Sequence, residues 1–176
     1  MHAFKLLWDG HKWTGVVLGL LLCLTAGTGF LLQLKKEYAW IQPKTQRGTE
    51  APSEALLPLP KIYEAAFAVG REELQSEKDI DRIDFRPGKR VHKVRAREND
   101  LEIQVDAVTG EVLSVETRTS DWIERLHDGS GIAKWFHDFV MPLAAIGLTL
   151  LALSGYAIWI WPQIKKRRAR RRRAQA

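Results

Sequence analysis

The chain has 176 residues, a formal net charge of +6 and 45% hydrophobic residues. Eight basic residues lie between Lys165 and Arg173; without them the charge becomes −2, so the basicity belongs to one tail and not to a surface built for nucleic acid. The single cysteine, Cys23, excludes an intrachain disulfide framework, and the absence of a P-loop or nucleophile elbow leaves no hydrolytic or phosphate-transfer motif and no catalytic residue to name.

The chain opens with a short polar segment, residues 1–12, expected on the cytoplasmic side. Between Lys12 and Lys35 come 22 residues without a charge, and between Asp138 and Lys165 another 26. At about 1.5 Å of rise per residue, either run crosses a hydrocarbon core of roughly 30 Å. The first run, residues 13–34, is longer than the h-region of a signal peptide. Its small residues Ala26 and Gly27 lead into Phe30-Leu31-Leu32 instead of a polar mature start, so it reads as an anchor. Gly15 and Gly19 stand at GxxxG spacing within it, a pattern that lets helices approach closely. Cys23, in mid-span, reads as a small apolar residue.

Residues 35–58 contain Pro43, Pro52 and Pro58 among Ser, Thr and Gly and read as a linker. In residues 59–118, Ile62, Ala65, Ala66 and Val69 carry the spacing of a helix that ends near Gly70. Four short alternating segments follow, around Ile83–Phe85, Arg90–Arg97, Leu101–Asp106 and Glu111–Thr117, separated by Arg86-Pro-Gly-Lys89, Glu98-Asn-Asp100 and Ala107-Val-Thr-Gly110. The pattern predicts one helix on an antiparallel sheet. Its expected core is Ile62, Ala66, Val69, Ile83, Phe85, Val94, Leu101, Ile103, Val105, Leu113 and Val115. Residues 119–131 read as an interfacial segment carrying Trp122, Ile123 and Leu126. Residues 132–162 read as the second transmembrane helix, in which Pro142 is expected to produce a kink or mark the start. Residues 163–176 form a basic tail.

The fold class is therefore membrane α+β, with two transmembrane helices flanking a small domain. The basic tail next to the second helix is a positive-inside signal that places it in the cytoplasm against anionic lipid. Charges around the first helix (Lys5 and Lys12 before it; Lys35, Lys36, Lys44 and Arg47 after it) favour the opposite orientation. The eight tail charges outweigh them, and two crossings put both termini on one side.

The stretch Leu101-Glu-Ile-Gln-Val-Asp-Ala-Val-Thr-Gly-Glu-Val-Leu113 resembles the closing hairpin of PepSY domains, and Pro60-Lys-Ile-Tyr-Glu-Ala-Ala-Phe67 resembles their helix. The flanks, His11-Lys-Trp-Thr-Gly-Val-Val-Leu-Gly19 through Thr28-Gly29 and Leu126-His-Asp-Gly129 through Leu153-Ser-Gly-Tyr-Ala-Ile-Trp159, look like PepSY-associated transmembrane helices. The resemblance covers nearly the whole chain except the tail. It implies a protein of the bacterial inner membrane with the central domain on the periplasmic side. It also implies larger four-helix relatives that are haem-containing reductases of ferric siderophores, of which this chain looks like half.

Histidines at the membrane edges are the residues such a reading needs, because a neutral imidazole ligates haem iron. His11 precedes the first span, and His127 and His137 precede the second. These are the candidate ligands of haem b iron. His11 and His137 are separated by the bilayer core, roughly 30 Å, and cannot share an iron. His127 and His137 would lie about 15 Å apart on a straight helix, which the Asp128-Gly-Ser-Gly131 bend could shorten. Otherwise a second ligand comes from a homodimer or another membrane subunit. His92 reads as a satisfied core or surface histidine on a strand. The sequence thus carries two functions: a haem b electron-transfer component, or a cofactor-free membrane scaffold or regulatory module whose domain binds a partner protein through its sheet edge.

Overall fold

The computed structural model describes residues 2–174. Helix α1 spans His2–Gln33 and helix α4 spans Met141–Ala174, the latter preceded by a π-helical turn at Phe136–Val140. Between them lie α2 (Leu59–Phe67), strands β1 (Ile80–Arg86), β2 (Val91–Ala96), β3 (Leu101–Asp106) and β4 (Val112–Thr117), and α3 (Thr119–His127). The chain divides into two units, one of residues 1–29 with 125–176 and one of residues 30–124. The expected membrane α+β architecture is what the structure shows.

In the first unit, α1 and α4 are long and apolar enough to cross a bilayer. Their large apolar side chains, among them Val17 and Leu20 on α1 and Leu143, Leu150 and Leu153 on α4, are exposed. Water would not tolerate such a surface, and lipid covers it without cost. The two helices meet through small residues. A Cβ on Gly147 would come within 2.8 Å of Leu18 Cδ1, so the glycine lets the Leu18 side chain lie against α4 where a larger residue would make it shift. Gly15 faces Leu151 of the same chain, whereas Gly19 faces open space. Pro142 is the second residue of α4 and follows directly on the π-helical turn, in helical backbone that runs on from Trp135 through Met141, so its missing N–H falls inside a continuous helical run. It stands at the junction of the π-helical turn with the regular helix, and α4 then continues through Pro162 into the basic tail.

In the second unit the four strands pair antiparallel in the order β1-β2-β3-β4. Ile103 lies opposite Val94 on one side and Val115 on the other, and α2 packs Ile62 and Ala66 onto this face. Val94, Leu101, Ile103 and Val105 are buried as expected, with Val69 and Ile83 at the margin. Leu74, from the segment between α2 and β1, is a fully buried member that periodicity missed. The β4 register differs from strict alternation. A shift between Gln104 and Val105 sets Val112 opposite Val105, so Val112 packs against the core where Leu113 was expected. Val115 is 36% exposed because β4 is an edge strand. Ile103→Val, which removes one methyl from a fully buried site, is expected to destabilise the sheet by about 1 kcal/mol, measurable as a lower melting temperature of the full chain in detergent.

His92 corrects a second expectation. It is 7% exposed and stacks on Phe85 with ring centroids 4.6 Å apart, but its Nδ1 has no hydrogen-bond partner among the described residues, so it is buried without being satisfied. Burial holds its pKa below the ordinary 6.5. The unfolded chain therefore takes up the proton first, and stability present above pH 6.5 is lost as the pH falls below it. His92→Leu is expected to flatten that decline while leaving stability at neutral pH unchanged or higher; melting curves between about pH 5 and pH 7.5 measure both.

The opposite face of the sheet is polar yet also buried. Lys93, Arg95, Glu102, Gln104 and Asp106 lie on it, all 7% exposed or less. The proline-containing segment 41–49 bonds to two of them, Gln104 and Asp106. Gln46 N donates to Gln104 Oε1 at 2.8 Å, Gln104 Nε2 donates to Lys44 O at 3.1 Å, and Thr49 donates to Asp106 Oδ2 through both N–H and hydroxyl at 2.8 Å. A Cβ on Gly48 would collide with the Arg90 carbonyl, so this crossing requires glycine.

Candidate functional site

His11 stands on the inner side of α1, half-buried, with Nδ1 2.7 Å from Ser154 Oγ on α4. Ser154 Oγ is also 2.9 Å from Leu151 O. With the serine proton on Leu151 O, the serine oxygen accepts from His11 Nδ1–H, the arrangement that satisfies both contacts. In that arrangement Nε2 keeps its lone pair. The next residue, Gly155, makes room for the ring: a Cβ there would lie 3.2 Å from His11 Cε1. Beside it runs an apolar groove of about 760 Å3, lined by His11, Leu22, Leu148, Leu151, Tyr156 and Trp159 among others.

His127, at the C-terminal end of α3, repeats this arrangement against the other helix. Its Nδ1 is 3.0 Å from Thr25 O and 3.0 Å from Thr28 Oγ1, while the Thr28 hydroxyl reaches Leu24 O at 2.7 Å. Because Thr25 O can only accept, Nδ1 carries the proton and Nε2 the lone pair. A Cβ on Gly29 would lie 3.2 Å from His127 Cε1. Ser154-Gly155 and Thr28-Gly29 are thus equivalent cradles, a hydroxyl followed by a glycine, each receiving a histidine from outside its own helix. This correspondence was missed in the sequence, although both pairs stood within the stretches that resembled membrane helices.

His137 lies in the π-helical turn and is exposed, with Nδ1 2.9 Å from Asp128 O. Again the carbonyl fixes the proton on Nδ1. The bend at 128–131 makes this possible. Gly129 has φ +79°, a conformation that disfavours a side chain, and a Cβ there would sit 2.7 Å from Phe136 Cδ1. Asp128 Oδ1 accepts from Ser130 N at 2.8 Å. Burial acts to raise the Asp128 pKa, but the Ser130 hydrogen bonds and the nearby His137 and His127 outweigh it and hold the carboxyl below its ordinary range.

The histidines form two groups. His137 binds the carbonyl of the residue after His127, so these two share one bend. His11 is apart from them, since along α1 it precedes the Thr28-Gly29 cradle by 17 residues, about 26 Å of helix. Among the described residues no cluster of three or more His, Cys, Asp or Glu is placed to hold a metal ion. A porphyrin supplies the equatorial ligands of its own iron and asks the protein only for axial ones, which single oriented histidines can give.

Two long apolar helices, each cradling a histidine, joined through a small α+β domain, define a membrane protein with a folded domain outside the bilayer. The chain belongs to the family described as the PepSY-associated TM region, which matches residues 8–176. No curated protein matches it.

Proposed function

We propose that this protein is a haem b electron-transfer component of the bacterial inner membrane, related to the ferric-siderophore reductases, in which His11, His127 and His137 would hold the haem iron. One observation carries the reading: each of these histidines has Nδ1 hydrogen-bonded to an oxygen, a carbonyl for His127 and His137 and the Ser154 hydroxyl for His11, which orients the ring and turns Nε2 to the ligand. Such an orienting partner is the usual companion of a metal-ligating histidine. The groove beside His11 is apolar, carries Tyr156 and Trp159, and falls within the size range of cofactor pockets. Bound haem supplies one-electron chemistry. The chain's own contribution is to fix ring orientation and to exclude water with Leu148, Leu151 and Trp159. With candidate ligands at both ends of the helix pair, the arrangement suits transfer across the bilayer.

In this reading both termini are cytoplasmic, the central domain is periplasmic and the basic tail lies on anionic lipid. At the His11 end, His11 of a second copy related by two-fold symmetry would be the other residue to hold the iron. Gly19, open on the α1 surface, leaves room for that neighbour. A rival reading, a cofactor-free scaffold, draws on β4, an edge strand with a free side on which a partner strand could pair. The absorption spectrum of the full chain, purified after expression with ample haem, separates them. A Soret band is expected, and its absence would leave the scaffold.

A further inference from the structure

The stretch that follows α1 builds a feature that the histidines do not use. Within the second unit lies a cleft of about 660 Å3 whose walls come from three segments: the chain just past α1, residues 42–45, and the turn joining β1 to β2. Five cations line it, Lys35, Lys36, Lys44, Arg86 and Lys89, and no carboxylate does. Two of these cations brace the walls. Lys35 Nζ pairs with Glu124 at 2.7 Å, and Lys89 Nζ donates to Thr45 O at 2.7 Å. The turn is tied down further by Gly48 N, which donates to Lys89 O at 2.8 Å. Lys36, Lys44 and Arg86 are exposed and have no ion-pair partner among the described residues. Three unpaired like charges held around one cleft repel one another, and an anion seated there relieves that repulsion.

Chemistry and position narrow the anion. A guanidinium fork with ammonium groups beside it matches the several acceptor oxygens of a phosphate. Lys35 and Lys36 are the second and third residues after Gln33, where α1 and its apolar span end, so chain continuity alone sets this wall at headgroup depth. We propose that this cleft binds the phosphate of an anionic phospholipid headgroup through Lys36, Lys44 and Arg86. The inference is independent of the haem reading.

The basic tail also attracts anionic lipid, so the test must separate the two. The full chain in neutral detergent is titrated with phosphatidylglycerol, and lipid retained per chain is counted by native mass spectrometry. Two triple variants with the same charge change are compared, Lys36→Ser/Lys44→Ser/Arg86→Ser in the cleft and Arg170→Ser/Arg171→Ser/Arg173→Ser in the tail. The cleft variant is expected to lose one tightly held lipid, with affinity weakened about 10- to 100-fold, and the tail variant to keep it. All three cleft residues are exposed, so the fold is not at stake, and unchanged melting of the cleft variant checks this. Displacement of that lipid by millimolar glycerol 3-phosphate from wild type alone supports the phosphate site and identifies a soluble phosphate ester as a second source. Retention by the cleft variant equal to wild type, or an equal loss in the tail variant, overturns the proposal.

Discussion

His11→Ala in the full chain is expected to abolish haem binding at one end of the helix pair and leave the other end loaded, read as a partial loss of Soret absorbance per protein. His127→Ala and His137→Ala are expected to affect the other end, and His92→Ala neither. Ser154→Ala tests the orientation of His11 without touching its ring. The hydroxyl bonded to Nδ1 at 2.7 Å is removed, the ring loses its orienting partner, and a loss of about 10- to 100-fold in haem affinity is expected. A purely structural role for Ser154 would lower the melting temperature without shifting the reduction potential; an orienting role shifts the potential as well. Full Soret absorbance in His11→Ala would remove His11 from the site, and full absorbance in all three ligand variants would sink the haem reading.

The spans were legible because a bilayer imposes a simple demand, a charge-free run of sufficient length, and both 13–34 and 139–164 meet it. The α2 face and the apolar face of β2 and β3 were legible through their periods. What escaped reading has physical causes. A register shift moves every later side chain to the other face, so Val112 replaced Leu113 in the core without any change in composition. Alternation marks Lys93, Arg95, Glu102 and Gln104 as polar, but it does not distinguish a face turned to water from one bonded to a distant segment. The cradles escaped for the same reason. His11 and Ser154 are 143 residues apart, as Thr28 and His127 are 99 apart, and no local pattern joins them.

Glu102→Leu tests that buried face, and its cost follows from which cations it strands. Glu102 is fully buried and receives Lys93 Nζ at 2.9 Å, Arg118 Nη1 at 2.9 Å and, more loosely, Arg95 Nε at 3.5 Å. Removing one side of a buried ion network typically destabilises by about 3–5 kcal/mol, since the partners remain buried and unpaired. Arg118 keeps Asp121 at 3.0 Å and Arg95 keeps Asp84 at 2.8 Å, so the burden falls on Lys93. Burial already pulls the Lys93 pKa below its ordinary value, against the raising influence of Glu102. Without that carboxylate, Lys93 can escape by losing its proton, which arginine cannot do. The expected loss is therefore at the lower end, about 3 kcal/mol near neutral pH, or a melting temperature of the sheet domain lower by more than about 10 °C. It carries a signature in pH. With Lys93 neutral in the folded state and charged in the unfolded one, the unfolded chain binds the extra proton, so the variant regains stability as the pH rises toward 10.5 and loses it as the pH falls. Lys93→Met added to Glu102→Leu removes the stranded group and is expected to recover most of the loss and to abolish the pH slope. A Glu102→Leu protein that melts like wild type, or whose deficit is the same at pH 7 and near pH 10, would show that Glu102 does not hold Lys93 in the charged form.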